Sequence, residues 1–271
     1  MRRSVLVVAV LLSVAPVAWG LEVWNRVVIN EVHYYMPGFD AHNEYIELLN
    51  AGGTVAFLDG AVITDEGDEG MPESVFKFPG AQGGHDIAIW PGETVLVAVD
   101  AVVGEIEPDL SGADWEFFHP ADDNDNPDVP NLIHCGGSNC DIALANSGDG
   151  LLLATGVDSS AAIDCASIVD GVNWDDALDP VPISWLDCID PEFAAGVPQG
   201  NCLGRCPEGL DHNRSSADDW FMMVPTPDAP NLPSYPSDCS TGIDSRSTWG
   251  AVKALYRPDL KRPHHTHGSG R

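Results

Sequence analysis

Between Leu21 and Leu232 the apolar residues fall into short β-branched runs bounded by Gly, Pro, Asn and Asp, and helical periodicity is nearly absent. The pattern predicts an all-β protein with strands over Val27–Tyr34, Glu44–Leu49, Ala61–Thr64, Val75–Phe78, Thr94–Val99, Ile142–Ala145, Leu151–Thr155, Ile163–Val169 and Trp220–Val224. In the second of these, Glu44, Ile46 and Leu48 share one face and Tyr45, Glu47 and Leu49 the other, because side chains alternate along a strand. Neither face is wholly polar, which suits a strand inside a sandwich. Two long loop-rich stretches, Gly104–Asn139 and Asp175–Arg214, interrupt the rhythm and read as ordered insertions. The Pro-rich run from Pro225 to Pro233 cannot continue a helix or a central strand, so the domain 21–232 is expected to end there. Beyond it, 233–271 reads as a linker and a flexible tail, with a short helix over 247–256 capped by Ser247 or Thr248 and weakened by Gly250.

The first residues add an address. Met1, Arg2 and Arg3 precede an apolar run from Val5 that closes on the small residues Ala18 and Gly20, the pattern of a signal peptide over 1–20. The alternative is an uncleaved anchor, which the shortness of the run disfavours. No later run approaches the length of a transmembrane helix, so a secreted or envelope-associated protein is expected.

Charge then narrows the partners. The chain carries 42 Asp and Glu against 12 Lys and Arg. From Leu21 to Ser240 the only basic residues are Arg26, Lys77, Arg205 and Arg214, whereas Arg246, Lys253, Arg257, Lys261, Arg262 and Arg271 crowd the end. Such a body repels phosphate backbones, which excludes direct nucleic-acid binding by it. It favours cations and basic partners, or simply keeps the protein soluble.

Seven cysteines behind a signal peptide point to an oxidising compartment. Cys135 and Cys140 bracket a flexible Gly-Gly-Ser-Asn loop and suit a local bridge; Cys202 and Cys206 suit another, with Cys188 a rival partner for either. Structural zinc fits these spacings poorly. The densest run of oxygen ligands, His119–Asp128, offers Asp122, Asp123, Asp125 and Asp128 to calcium, although it lacks the central Gly and terminal Glu of an EF-hand; a solvated acidic turn is the competing reading. Asp65–Gly70 is a weaker second candidate. Neither a nucleophile elbow, a zincin helix nor a phosphate-cradling Gly loop is present. His85-Asp86 and Asp211-His212 lack a nucleophile in reach and read as surface turns. Trp115, Phe117 and Phe118 could meet a glycan or protein, or lie in the core.

Val28-Ile29-Asn30-Glu31-Val32 and Asn43-Glu44-Tyr45-Ile46-Glu47-Leu48-Leu49-Asn50, the second the more diagnostic, resemble the opening two strands of the lamin-tail domain. Leu58–Asp65, Phe76–Pro79, Ile89–Ala98, Leu144–Leu153, Ala162–Asp164, Asn213-Arg214, Trp220 and Pro225–Asn231 follow in order. Two positions depart from the pattern: Ala61 stands where a Trp is common, and Asp228 where the family has Gly. The resemblance covers roughly residues 27 to 231. It implies an immunoglobulin-like β-sandwich and a non-enzymatic binding or structural module, with a protein, a glycan or calcium as ligand. The rival is a secreted metal-dependent hydrolase or nuclease seated in the Asp122–Asp128 loop. Asn30 and Glu31 beside Glu44 and Glu47 would crowd carboxylates, with Arg26 or Arg214 among the few cations to compensate them. A buried network that fixes register is one reading of this crowding and a cation site the other.

Overall fold

The computed structural model describes residues 27–36, 43–65, 74–80, 87–101, 108–117, 126–137, 142, 144–155, 167–174, 194–211 and 219–234. The expected signal peptide, the tail with its short helix, Arg26 and Arg214 lie outside them. The strands are β1 (Val27–His33), β2 (Tyr45–Asn50), β3 (Ala56–Phe57), β4 (Val62–Asp65), β5 (Ser74–Lys77), β6 (Ala88–Ile89), β7 (Thr94–Ala98), β8 (Trp115–Glu116), β9 (Ile133–Gly137), β10 (Asp149–Ala154), β11 (Ile168–Trp174), β12 (Cys202–Arg205), β13 (Trp220–Val224) and β14 (Leu232–Pro233).

They form an all-β sandwich. A seven-stranded sheet, β14-β13-β12-β1-β2-β7-β8, packs on a five-stranded sheet, β11-β10-β4-β5-β9, and β3 and β6 make a two-stranded ribbon. The two inner faces share one apolar core. Ile29, Val32, Ile46, Leu48 and Val97 of the larger sheet meet Ile63, Phe76, Leu151, Leu153 and Trp174 of the smaller. Tyr34 stacks on Trp174 with ring centroids 4.7 Å apart, tying the end of β1 to the facing sheet.

The larger sheet is buried on its outer face as well. Tyr45, Leu96 and Ala98 lie under Ala101, Leu110, Ala113 and Val129, which form a lid over them. That lid is pinned by Glu116, whose carboxylate accepts from the N–H of Ala101 and of Asn126, both at 3.2 Å. Asn126 in turn donates through Nδ2 to the Ala101 carbonyl at 2.8 Å.

Several expectations need correction. Ile142, Leu144 and Ala145 form no strand; Ile142 and Leu144 fill the core from a loop, and the Ala145 N–H donates to Asp149 Oδ2 at 2.7 Å. Of the strand expected over Ile163–Val169, residues 163–166 lie outside the described residues, and β11 carries Ile168 and Val169 on to Trp174, where it pairs with β10. Within the stretch 175–214, read as loop, β12 sits between β1 and β13 near the middle of the larger sheet. The Pro-rich run does not leave the domain at once, because Leu232 and Pro233 return to pair with β13 at the sheet edge, where a proline costs no ladder bond.

Candidate functional site: a buried acidic face under a proline strap

The site begins with a fault in β1. Val27 and Ile29 point into the core, yet so do Val32 and Tyr34, which a continuous two-residue alternation forbids. The pairing with β2 shifts between Ile29 and Glu31, a β-bulge that inserts Asn30 and turns both Asn30 and Glu31 to the outer face. There they meet Tyr45 and Glu47 of β2 and Cys202 of β12, all fully buried.

What buries them is the strap between β13 and β14, Pro225–Asn231. Prolines at 225, 227 and 230 have no N–H to satisfy, and the other four amides are all used. Thr226 N–H donates to Glu31 Oε1 at 2.8 Å, Asp228 N–H to Glu47 Oε2 at 2.9 Å, Asn231 N–H to Glu208 Oε1 at 3.1 Å and Ala229 N–H to the Thr226 carbonyl at 3.0 Å. The last closes a turn with Pro227 second and Asp228 third. Asp228 has φ of 54°, the positive value that a type II turn requires at that place. Asp228 therefore adopts the backbone a glycine would, and its Oδ1 accepts from Thr94 Oγ1 at 2.9 Å. Three amide bonds to carboxyl oxygens, each contributing about 0.5–3 kcal/mol, offset part of the roughly 1–2 kcal/mol per residue that ordering a loop costs. The prolines lower that cost further, their φ being already fixed.

Side chains complete the clamp. Glu31 also accepts from the hydroxyls of Tyr45 and Thr226 and from the Cys202 thiol. Asn30 Oδ1 accepts from the Gly209 N–H at 3.1 Å, which fixes the amide's orientation and aims Nδ2 at Glu47 Oε1, 2.9 Å away. Asn231 Nδ2 reaches the carbonyls of Asn30 and Arg205 at 3.1 and 3.0 Å. It lies over Gly204, where an added Cβ would sit 2.7 Å from Met223 Cγ and 3.0 Å from that same Nδ2. Burial pushes Glu31 up from the ordinary carboxylate range, against its hydrogen-bond donors. Burial likewise pushes Glu47 up to about 8, with the bonds from Asn30 and Asp228 pulling the other way. Tyr45 is raised as well, by burial and by Glu31 beside it.

A second cluster, on Arg205, takes over where β1 and β12 part. Nε donates to the Ile29 carbonyl at 2.7 Å and Nη1 to the Leu210 carbonyl at 2.7 Å, while Nη2 lies 2.9 and 3.0 Å from the two oxygens of Asp170 on β11. Nη1 also faces Asp219 and Asp211 at 3.5 and 3.6 Å, and the guanidinium lies 4.7 Å from the Trp220 ring centre. Asp170 Oδ2 accepts the Ile29 N–H at 2.7 Å, so this ion pair stands in for a missing length of strand and joins the two sheets. Burial pushes Asp170 up to about 6 against the pull of Arg205, which leaves it ionised at neutral pH.

His33 lies on the same outer face, fully buried, its ring edge-on to Tyr45 at 5.2 Å. Burial holds it down near 4, so it is neutral at pH 7.

Of the sequence-derived site residues, the structure places only some. Asp122, Asp123 and Asp125 lie outside the described residues; Asp128 is exposed, and its N–H donates to Asn126 Oδ1 at 3.1 Å. Among the described residues no group of three His, Cys, Asp or Glu is arranged to hold a metal ion. Cys202 is a free buried thiol, so the local bridge expected with Cys206 is not made; Cys206 is disulfide-bonded. The side chains of Cys135, Cys140 and Cys188 lie outside the described residues. Phe117 is in the core and Trp115 packs edge-on to Phe78, while Phe118 is not among the described residues. Asp211, expected in a surface turn, pairs with Arg205. Among the described residues, Arg205 compensates the buried carboxylates Asp170 and Asp219, while Arg26 and Arg214 lie outside them.

Fold and site define a class: an all-β sandwich whose outer sheet face is sealed by a lid and a strap tied to buried acids. It is similar in structure to a DUF4876 family protein from Bacteroides thetaiotaomicron VPI-5482, with a TM-score of 0.60 and 14% identity over 78% of this chain and 75% of that one. At that identity the likeness speaks to the fold alone. No family model matches the chain, and no curated protein matches its sequence.

Proposed function

We propose that the chain is a secreted or envelope-associated module of the lamin-tail type, immunoglobulin-like in topology, that works by binding or by structural support rather than by turnover. One observation carries this: Asn30, Glu31, Tyr45, Glu47 and the Thr226–Asn231 run, through which the lamin-tail resemblance passes, are spent on one another. Carboxylates that accept from the chain's own amides hold the fold and are not aimed at a substrate. The ligand is a protein, a glycan or calcium, with Asp122, Asp123, Asp125 and Asp128 as the calcium ligands.

The experiment uses the secreted mature chain with and without added divalent cations. Nuclease, phosphatase and esterase assays are expected to stay at background, and calorimetric titration with calcium to give saturable heat together with a raised melting temperature. Cation-dependent turnover that Asp122→Asn and Asp125→Asn abolish would replace this reading with a metal-dependent hydrolase. Absence of calcium heat would leave protein or glycan as the ligand.

A further inference from the structure

The β3–β6 ribbon carries a partly exposed apolar face. Ala56 pairs with Ile89 and Phe57 with Ala88, so Ala56 and Ile89 turn inward while Val55, Phe57, Ala88 and Trp90 turn outward together. Ile89 is buried in the core, whereas Phe57 is 46% exposed and Trp90 62% exposed. The ribbon is held rigidly: Asn50 Nδ2 donates to the carbonyls of Thr54 and Ile89, both at 2.8 Å. Carboxylates bracket β6, because Asp59 Oδ2 accepts the Ile87 N–H at 3.3 Å and Glu93 Oε2 the Trp90 N–H at 2.9 Å. A rigid aromatic face between two acids, on a body with almost no basic residues, calls for an apolar ligand that carries positive charge.

The chain itself contains one. Thr248-Trp249-Gly250-Ala251-Val252-Lys253-Ala254-Leu255-Tyr256-Arg257 combines Trp, Val, Leu and Tyr with Lys253 and Arg257 and has no acidic residue. Between Ser234 at the edge of the larger sheet and Thr248 lie residues 235–247, which extend to roughly 40–45 Å. That matches the width of a domain of this size, about 2.2·N^0.38 Å in radius of gyration. Ser234 follows β14, and Thr94, the neighbour of Glu93, opens β7 five strands away in the same sheet, about 24 Å at ~4.8 Å per strand and within this reach. We infer that the segment Thr248–Arg257 docks on the Val55–Phe57–Ala88–Trp90 face of its own body, with Lys253 and Arg257 directed to Asp59 and Glu93. The face would thus be occupied in the free protein, and a partner would have to displace the segment.

Trypsin reads this directly on the full chain. The bond after Lys253 lies inside the docking segment and the bond after Lys261 outside it, so the second is an internal control. With an effective concentration of about 1 mM for a tethered segment and an intrinsic dissociation constant near 0.1 mM, cleavage after Lys253 should slow ~10-fold relative to Lys261. The baseline is the same ratio in a free peptide spanning 235–271. Phe57→Ser with Trp90→Ser should restore the free-peptide ratio, and so should Trp249→Ser with Tyr256→Ser, which leaves the body untouched. Salt at 0.5 M should shrink the protection by screening. A wild-type ratio equal to that of the free peptide would overturn the inference, as would protection that survives both double substitutions. Protection that grows with protein concentration would also overturn it, assigning the face to a second copy instead.

Discussion

Glu47 accepts from Asn30 on one oxygen and from the Asp228 amide on the other, so an isosteric amide cannot replace it without setting two N–H groups against each other. Glu47→Gln should therefore lower stability by about 1–3 kcal/mol in denaturant titration near pH 5, where the contribution of Glu47 is present. Its pH dependence has a definite sign. The folded pKa is raised from 4.5 to about 8, so the contribution is fully present below the unfolded value and is lost as pH climbs through 8. Asp170, raised from 3.8 to about 6, acts in the same direction over a lower window. His33 acts oppositely: lowered from 6.5 to about 4, it contributes above the unfolded value and loses that contribution as pH falls through 4. Stability should thus decline from about pH 5 to pH 9, by up to ~1.4 kcal/mol per pH unit from Glu47 alone, and Glu47→Gln should flatten the decline. An unchanged slope would remove Glu47 as its cause. Arg205→Ala would strand Asp170 and Asp219 without their cation and should cost about 3–5 kcal/mol. Arg205→Lys should recover only part of it, a point charge being unable to reach Ile29, Leu210 and Asp170 at once.

At the scale of elements, the strap and β12 depend on each other through a missing side chain. Gly204→Ala should lift Asn231 off the carbonyls of Asn30 and Arg205 and loosen the strap, whereas Asp228→Gly should relieve the positive φ while giving up the bond from Thr94. Melting temperatures of the two variants should move apart, Gly204→Ala falling by several degrees and Asp228→Gly staying near wild type. The elements differ in how far the sequence announces them. Strands with sustained alternation or β-branched runs, such as β1, β2 and β7, are visible to within a residue or so. The bulge in β1 leaves a trace too, because the core positions change parity between Ile29 and Val32. β12 leaves none, since Cys202-Leu203-Gly204-Arg205 has no period and is buried only because β1 and β13 flank it. The clamp was legible as a crowd of carboxylates and, in one of two readings, as a buried network, but the strap that fastens it was not, because Thr226 lies 195 residues further along the chain from Glu31. Free Cys202 was misread for the same reason: its neighbour in sequence is Cys206, but the thiol points to Glu31 across the sheet.

For the molecule as a whole, the account rests on a sheet whose two faces are both interior, one against the partner sheet and one under a lid and a strap anchored on ionisable side chains. A net charge of −30 adds a general repulsion that grows with pH, so the acid-linked terms are best separated by comparing variants at matched conditions. The most direct test is backbone amide exchange at Thr226 and Asp228, followed residue by residue by NMR in the native state. If Glu31 and Glu47 fasten the strap, these two amides exchange only as slowly as those of β1 and β2, near the free energy of global unfolding, despite lying in a proline-rich connection. Exchange of both amides at the rate of an open loop, with β1 and β2 still protected, would contradict the account.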